Sequence, residues 1–152
     1  MRVILAERPD TAEAQALIAE LEDHLASLYP AESRHGYSVE KMLREGVAFF
    51  VVREEGAPAG CGGVQLFGAE YGELKRMYVR PQFRGLGLGK MILDRLVEHA
   101  RRHGVRLLRL ETGIYQEEAI GLYEAAGFQR IPPFGSYKKE DPLSVFFEKR
   151  IL

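Results

Sequence analysis

The sequence predicts an α/β (α+β) fold: one domain, residues 1–152, with a mixed, mainly antiparallel sheet of about six to seven strands flanked by about four helices. Apolar residues recur at three- and four-residue steps in some segments and as continuous β-branched runs in others, so helices and strands are both expected. Three successive strand-like runs have short connections, which favours an antiparallel meander. The 152 residues are 46% apolar and contain no repeat or linker, which is enough for one core.

The N-terminal part begins with a strand at residues 2–6 and continues into a helix. Asp10 and Glu13 stand at capping-box spacing, which predicts that the helix opens at Asp10. Alanines, leucines and an isoleucine then form one apolar stripe, as on an amphipathic helix. Pro30 ends this helix because proline cannot continue it.

A second, shorter helix should start at Ser38 and stop near Gly46. Its inward-facing side chains should be Val39, Met42 and Leu43. The elements predicted after it are strands at 47–53, 59–67 and 72–79, a helix at 87–103, a strand at 105–111, a helix at 116–126 and a last strand at 144–150. In the second of these strands, glycines at positions 60, 62 and 63 indicate a β-bulge or a close backbone approach.

Composition limits the partners and the compartment. A formal net charge of −1 argues against nucleic acid and anionic membranes as partners. The single cysteine, Cys61, cannot form an intramolecular disulfide, and no segment reads as a signal peptide or membrane span, so we expect a cytoplasmic monomer or homodimer. His99 and His103 have a metal-ligand spacing but no third ligand, and we expect no metal.

A glycine-rich turn carries the most information about function. From Arg80 to Lys90 the sequence reads R-P-Q-F-R-G-L-G-L-G-K, between a strand and an amphipathic helix. Three alternating glycines let backbone N–H groups converge where the helix N-terminus adds partial positive charge, which makes a cradle for phosphate or pyrophosphate. Arg84 stands at the first glycine of a P-loop and Lys90 at the third of a dinucleotide fingerprint, so both motifs are excluded. A simple tight turn remains the alternative.

The pattern R-x-x-G-x-G, from Arg84 to Gly89, resembles the coenzyme A signature of the GCN5-related N-acetyltransferase (GNAT) superfamily. A second block, Q-x-x-A-x-x-L-Y-x-x-x-G-F at 116–128, resembles the later motif of that superfamily, with Gln116 where an asparagine is usual. The order of elements is also similar over almost the whole chain. The resemblance implies an acetyl-CoA-dependent N-acyltransferase, with acetyl-CoA as a co-substrate.

The resemblance also implies site residues. Tyr123 stands where the superfamily has a proton donor to the coenzyme A sulfur, and packing on the helix stripe is the alternative role of its ring. Glu73 has the spacing of the general base in the histone-acetylating branch, although a solvated strand carboxylate is equally compatible and Glu111 is a weaker rival. The predicted cofactor-binding residues are Met77, Tyr78, Val79, Arg84, Gly85, Leu86, Gly87, Leu88, Gly89, Lys90 and Gln116.

The resemblance implies that two segments, 30–37 and 131–137, determine which acceptor is bound. Arg34, His35 and Arg76 could meet a carboxylate on a small amine or amino acid, or could be surface groups. A small-molecule amine is the expected acceptor. A non-catalytic coenzyme A-binding sensor or regulatory module on the same fold is the alternative function.

Overall fold

The computed structural model describes residues 1–34, 37–137 and 141–152, which form one mixed sheet and four α-helices. The elements in chain order are β1 (Arg2–Ala6), α1 (Ala12–Leu28), α2 (Val39–Arg44), β2 (Ala48–Glu54), β3 (Ala57–Phe67), β4 (Tyr71–Val79), α3 (Leu88–Arg102), β5 (Leu107–Gly113), α4 (Glu117–Ala125), β6 (Gln129–Ile131) and β7 (Ser144–Arg150). The strand order is β1-β2-β3-β4-β5-β7-β6. Only β4 and β5 pair in parallel among these neighbours, so the predicted mixed, mainly antiparallel sheet is confirmed.

The start of α1 differs from the prediction by one residue. Thr11, not Asp10, caps the helix, and its hydroxyl accepts a hydrogen bond from the backbone N–H of Ala14 at 3.2 Å. The Asp10 carboxylate is instead held by the guanidinium of Arg8, at 3.0 and 2.9 Å. An ion pair two residues apart therefore removed the capping group that the sequence spacing had indicated.

Three further boundaries and positions were wrong. Leu43 was predicted to face inward but is 36% exposed, because α2 has only six residues and buries Met42 alone. Val105 does not open β5, because its N–H donates to the carbonyl of Ala100 and so completes the end of α3. The three-residue β6 was not predicted, since a strand that short and exposed has no apolar alternation.

Two apolar clusters occupy the two faces of the sheet, because alternate side chains of a strand point to opposite sides. The larger cluster joins α3 and α4 to the sheet, and the smaller one joins α1 and α2 to it. None of the helices in the described residues combines the length and apolar character that a membrane crossing requires.

The pairing between β4 and β5 is short. It covers three residues of each strand and ends where Glu73 lies opposite Arg109. β4 continues to Val79 and β5 to Gly113, yet these later residues do not pair with each other in the sheet. The two strands therefore diverge and leave a gap inside the sheet, open at their carboxyl ends.

A β-bulge in β4 explains the divergence. Arg76 and Met77 together stand opposite Gly62, and Arg76 has a left-handed φ of 58°. An extra residue bends a strand and increases its twist, which turns the end of β4 away from β5. The guanidinium of Arg76 is fixed in the bulge by the carboxylate of Glu22 on α1 and by the carbonyl of Tyr37, at 3.3 and 3.4 Å.

The glycines of β3 fit this bulge, as predicted. A Cβ at Gly60 would lie 2.6 Å from the carbonyl oxygen of Tyr78. A Cβ at Gly62 would lie 2.6 Å from the sulfur of Met77. Both distances are shorter than real Cβ contacts, so only glycine lets β3 approach the bulged strand and α3 so closely.

Candidate active site

A cleft of about 460 Å³, here called the loop cleft, lies between the end of β4, the glycine-rich turn and α4. The predicted cofactor-binding residues that line it are Met77, Tyr78, Val79, Arg84, Gly85, Gly87, Leu88, Gly89, Lys90 and Gln116. Leu86, which was also predicted, does not line it and is 40% exposed. Ten of the eleven predicted positions thus surround one cleft.

The glycine-rich turn has the geometry of an anion cradle. Gly85 and Gly87 both have φ of 80°, and Gly87 caps α3 without a side-chain hydrogen bond. Within the described residues, the N–H groups from Gly85 to Lys90 find no protein acceptor. No acidic residue stands in the first turn of α3, so these N–H groups and the helix dipole favour a bound anion such as a pyrophosphate.

The backbone of β4 offers a second binding feature. Beyond Glu73, β4 pairs with β3 on one side only, and its other side faces the gap. Such an edge can accept an extended ligand with amide groups in the way that a sheet accepts another strand. Met77 and Val79, predicted to bind in this way, lie on this free edge and line the loop cleft.

A smaller inner cavity of about 110 Å³ lies deeper in the same gap, between β4, β5 and α1. Leu21, Met77, Gln116, Ala119 and Tyr123 line both this cavity and the loop cleft. The two spaces therefore meet at these side chains. A ligand in each would approach the other there.

Tyr123 supplies the one acidic hydroxyl at this junction among the described residues that line both spaces. Its side chain is 4% exposed, and its ring lies 5.7 Å from that of Phe128 and 6.4 Å from that of Phe147, measured between centroids. The hydroxyl has no hydrogen-bond partner in the described part of the chain. Burial raises the pKa of Tyr123, and the charge of Glu111 raises it further, so the phenol is protonated at neutral pH. Its ring packs in the core while its hydroxyl remains available.

Glu73 lines the inner cavity, although it is buried rather than solvated. It is 5% exposed, and one carboxylate oxygen accepts hydrogen bonds from the Lys75 ammonium at 3.1 Å and from the hydroxyl of Tyr137. The alternative of an ordinary solvated strand carboxylate is therefore wrong. A buried carboxylate held by an ion pair and a phenol is a fixed negative charge at the cavity wall.

Glu111 lies on β5, on the other wall of the inner cavity. Burial raises the pKa of its carboxyl to about 7, and the nearby charge of Glu73 acts in the same direction. A hydrogen bond of 2.9 Å from the hydroxyl of Ser144 and the charge of Lys75 oppose that shift. A carboxyl that titrates near neutral pH is suited to accept and release a proton. Glu111, which the sequence offered as the weaker alternative to Glu73, therefore has a pKa suited to a general base.

The acceptor-binding residues that the sequence proposed have separate outcomes. Arg76 is engaged in the bulge, where Glu22 pairs with it. His35 lies outside the described residues. Arg34 lines the inner cavity, and its Nε atom is buried without a hydrogen-bond partner.

The two segments that the sequence assigned to the acceptor contribute Tyr37 and Tyr137 to the inner cavity, but sequence reasoning missed Tyr29. Tyr29, which follows α1, donates its backbone N–H to the carbonyl of Leu25 and so caps the helix. Its hydroxyl accepts the N–H of Tyr115 at 2.9 Å and lies where a Cβ of Gly113 would be. Tyr37 and Tyr137 complete the lining. The glycine at the end of β5 was the available signal, since it leaves room for a side chain from elsewhere.

The remaining chemical candidates are structural. Cys61 is fully buried, and burial raises the pKa of its thiol to about 12, so it is a core residue. His99 and His103 lie against each other at the end of α3, with ring centroids 4.4 Å apart and ring planes tilted by 37°. Residues 1–34, 37–137 and 141–152 contain no cluster of three or more side chains able to hold a metal ion.

Comparison with known proteins agrees with this geometry. The model of the Acetyltransferase (GNAT) family matches residues 14–128. An IAA acetyltransferase of Azospirillum brasilense is 43% identical over 134 residues, which cover 88% of this chain and 87% of that protein. A Klebsiella pneumoniae structure, provisionally assigned as an acyl-CoA N-acyltransferase, has a TM-score of 0.85 and 37% identity and covers 100% of this chain and 99% of that one. A Salmonella typhimurium structure with acetyl-CoA as its cofactor has a TM-score of 0.69 and 23% identity over 99% of this chain and 94% of that one.

The match to the family model spans the bulged strand, the anion cradle and the helix that carries Tyr123. These are the parts of the fold that build the two connected spaces. The chain therefore belongs to the GNAT family of acetyltransferases.

Proposed function

We propose that this protein transfers an acetyl group from acetyl-CoA to the amine of a small molecule. The observation that carries the proposal is the position of Tyr123, which lines both the loop cleft and the inner cavity and whose hydroxyl has no hydrogen-bond partner in the described residues. The loop cleft suits the carrier, because its free N–H groups fit a pyrophosphate and its free strand edge fits pantetheine amides. The inner cavity then receives the acceptor.

The reaction needs no covalent intermediate on the protein. The amine nitrogen attacks the thioester carbonyl carbon, a C–N bond forms, the C–S bond breaks, and the sulfur leaves with the bonding electron pair. Tyr123 gives its proton to that sulfur, and a carboxylate takes the proton that the amine loses. An acceptor that enters as an ammonium first releases one proton to solvent, and after the transfer the proton on the carboxylate returns to the Tyr123 oxygen through solvent. The thiol and the amide are then the products, and both side chains are restored. Holding both reactants at one junction supplies a large part of the acceleration.

The two carboxylates of the inner cavity have different parts in the proposal. Glu73, which the sequence indicated as the base, binds the acceptor amine with the carboxylate oxygen that accepts no hydrogen bond from Lys75 or Tyr137. Glu111 takes the amine proton, because its carboxyl titrates at about 7 and is therefore a base at the pH at which it must act. Both carboxylates lie on the acceptor side of Tyr123.

Two further observations support a small acceptor and a coenzyme A carrier. The inner cavity next to Tyr123, about 110 Å³, is well below the roughly 300–1,000 Å³ of sites for drug-sized ligands, although it shares four lining residues with an outer groove of about 600 Å³. The Salmonella typhimurium relative of this fold contains acetyl-CoA, and the Azospirillum brasilense relative is named for acetylation of IAA.

The test is acetyl transfer by wild type and Tyr123→Phe, measured as amide product by mass spectrometry with a panel of amines, amino acids and peptides. The phenylalanine variant should lose roughly 10²–10⁴-fold in turnover, the usual contribution of a general acid, while its affinity for coenzyme A in calorimetry is unchanged. Tyr71→Phe is the matched control, since it deletes a hydroxyl outside both spaces and should be fully active. Unchanged turnover in Tyr123→Phe would remove Tyr123 from the reaction. If the wild type binds coenzyme A but acetylates none of the acceptors, the alternative function, a non-catalytic coenzyme A-binding sensor or regulatory module, is favoured instead.

A further inference from the structure

The cationic side chains that line the inner cavity differ in whether an acidic side chain pairs with them. Three cationic side chains line it in the described residues, and two have partners: Lys75 pairs with Glu73 at 3.1 Å, and Arg76 pairs with Glu22. Arg34 is the third, and no carboxylate in the described part of the chain neutralises it. A partly buried guanidinium beside a cavity with no acceptor of its own is an unusual arrangement, because buried donors are normally satisfied.

The position of Arg34 is set by the fold. It follows a short 3-10 turn at Ala31–Ser33, and its N–H donates to the carbonyl of Ala31 at 3.2 Å. The neighbouring Ser33 is tied to Asp141 by a hydrogen bond of 3.2 Å. These two hydrogen bonds hold the backbone up to Arg34, and Arg34 lines the same cavity as both carboxylates and Tyr123.

We infer that the acceptor carries a carboxylate as well as its amine, and that Arg34 binds this carboxylate while Glu73 and Glu111 face the amine. The inference rests on the proposed function, since it assigns the second end of the same acceptor. A guanidinium binds a carboxylate by two parallel charge-assisted hydrogen bonds, which gives orientation as well as affinity. The substrate class is therefore a small amino acid or aminocarboxylate.

The walls between these ends are apolar and aromatic. Besides its charged groups, the cavity is lined by Leu21, Leu25, Tyr29 and Tyr37. A zwitterion with a short apolar side chain matches this distribution, with negative protein charge at its amine and positive charge at its carboxylate. A polyamine would leave Arg34 opposed to a second cation, and such like-charge contacts are strongly unfavourable.

The test compares acceptors that differ only in the carboxylate: an L-amino acid and its carboxamide, for example L-methionine and L-methioninamide. Wild type should have a roughly ten- to hundred-fold higher kcat/KM for the acid, the size expected for a charge-assisted pair. Arg34→Gln should lower kcat/KM for the acids by that factor, chiefly through KM, and leave the amides unchanged. Arg34→Lys should recover part of the loss. Arg106→Gln, an exposed arginine before β5, is the control and should match wild type.

Three outcomes would overturn the inference: equal kcat/KM for acids and amides in wild type, an equal loss for both in Arg34→Gln, or a preference for amines that lack a carboxylate. Failure of the proposed function looks different, because then no amine is acetylated at all. In that case calorimetry of the amino acids with the coenzyme A-loaded protein still tests Arg34. Binding of the acid that Arg34→Gln abolishes would support the assignment, and no binding would reject it.

Discussion

The proton acceptor can be tested by shifting the pKa of Glu111 in two directions. With a pKa of about 7, the Glu111 carboxyl is about one-tenth ionised at pH 6 and about nine-tenths at pH 8, so turnover should rise about ten-fold between them. Ser144→Ala deletes a hydrogen bond that lowers this pKa. A lost hydrogen bond to a charged group is worth about 1.5 kcal/mol, or about one pKa unit, so the midpoint should move to about 8.

The consequence is a pH-dependent difference between the two proteins. At pH 6, Ser144→Ala should turn over about ten-fold more slowly than wild type, and at pH 9 the two should be nearly equal. Glu73→Gln removes a charge that raises the pKa of Glu111, so its midpoint should move in the opposite direction while its KM for the acceptor increases. Ser27→Ala, on the exposed side of α1, deletes a hydroxyl elsewhere and should follow wild type.

The assay is kcat at saturating acetyl-CoA and acceptor from pH 5.5 to 9.5, with the amide quantified by mass spectrometry because thiol reagents themselves depend on pH. The ionisation of the acceptor amine is common to all variants, so the displacement between variants is the measured quantity. Identical profiles for wild type and Ser144→Ala would refute the role of Glu111. Loss of turnover in Glu73→Gln, with full activity in Glu111→Gln, would make Glu73 the base.

Two further predictions concern the glycines. Gly60→Ala should lower the free energy of unfolding by roughly 1–3 kcal/mol in urea denaturation, because its Cβ would lie 2.6 Å from the carbonyl of Tyr78. Gly121→Ala, in an open position on α4, should instead raise the free energy of unfolding by about 0.5–1 kcal/mol. Equal effects of the two substitutions would contradict the close approach of β3 to β4. Gly87→Val should abolish coenzyme A binding in calorimetry while the protein stays folded by circular dichroism. The reason is that Gly87 caps α3 with φ of 80°, a backbone conformation in which valine is strained. Wild-type affinity in this variant would refute the assignment of the anion cradle to coenzyme A.

The sequence predicted well those features that are written locally. The glycine-rich turn needs positive φ at Gly85 and Gly87, and only glycine adopts that backbone conformation at low cost, so the cradle is visible in the residue types themselves. The motif around Tyr123 likewise places its ring on the buried stripe of a helix. For the same reason the meander was read correctly from its short connections.

Features that arise from tertiary contacts were not predictable. The glycines of β3 indicated a bulge or a close approach, but not that the extra residue is Arg76 of β4, whose left-handed conformation is rare for arginine and is held by Glu22 on a distant helix. The pKa of Glu111 depends on burial by segments far along the chain, and its partner Ser144 is 33 residues away. Thr11 rather than Asp10 caps α1, because the Asp10 carboxylate accepts hydrogen bonds from Arg8 while the Thr11 hydroxyl accepts the N–H of Ala14.

The bulged strand also joins ligand binding to folding. The three residue pairs of β4 and β5 join the ladder of β1–β4 to the ladder of β5–β7, and the larger apolar cluster packs across the same join. A pantetheine arm that adds hydrogen bonds in the gap would tie these ladders together. By thermodynamic linkage, a ligand at one hundred times its Kd stabilises the native state by about 2.7 kcal/mol. A fall in the level of the thioester would then lower the free energy of unfolding of this protein as well as its turnover.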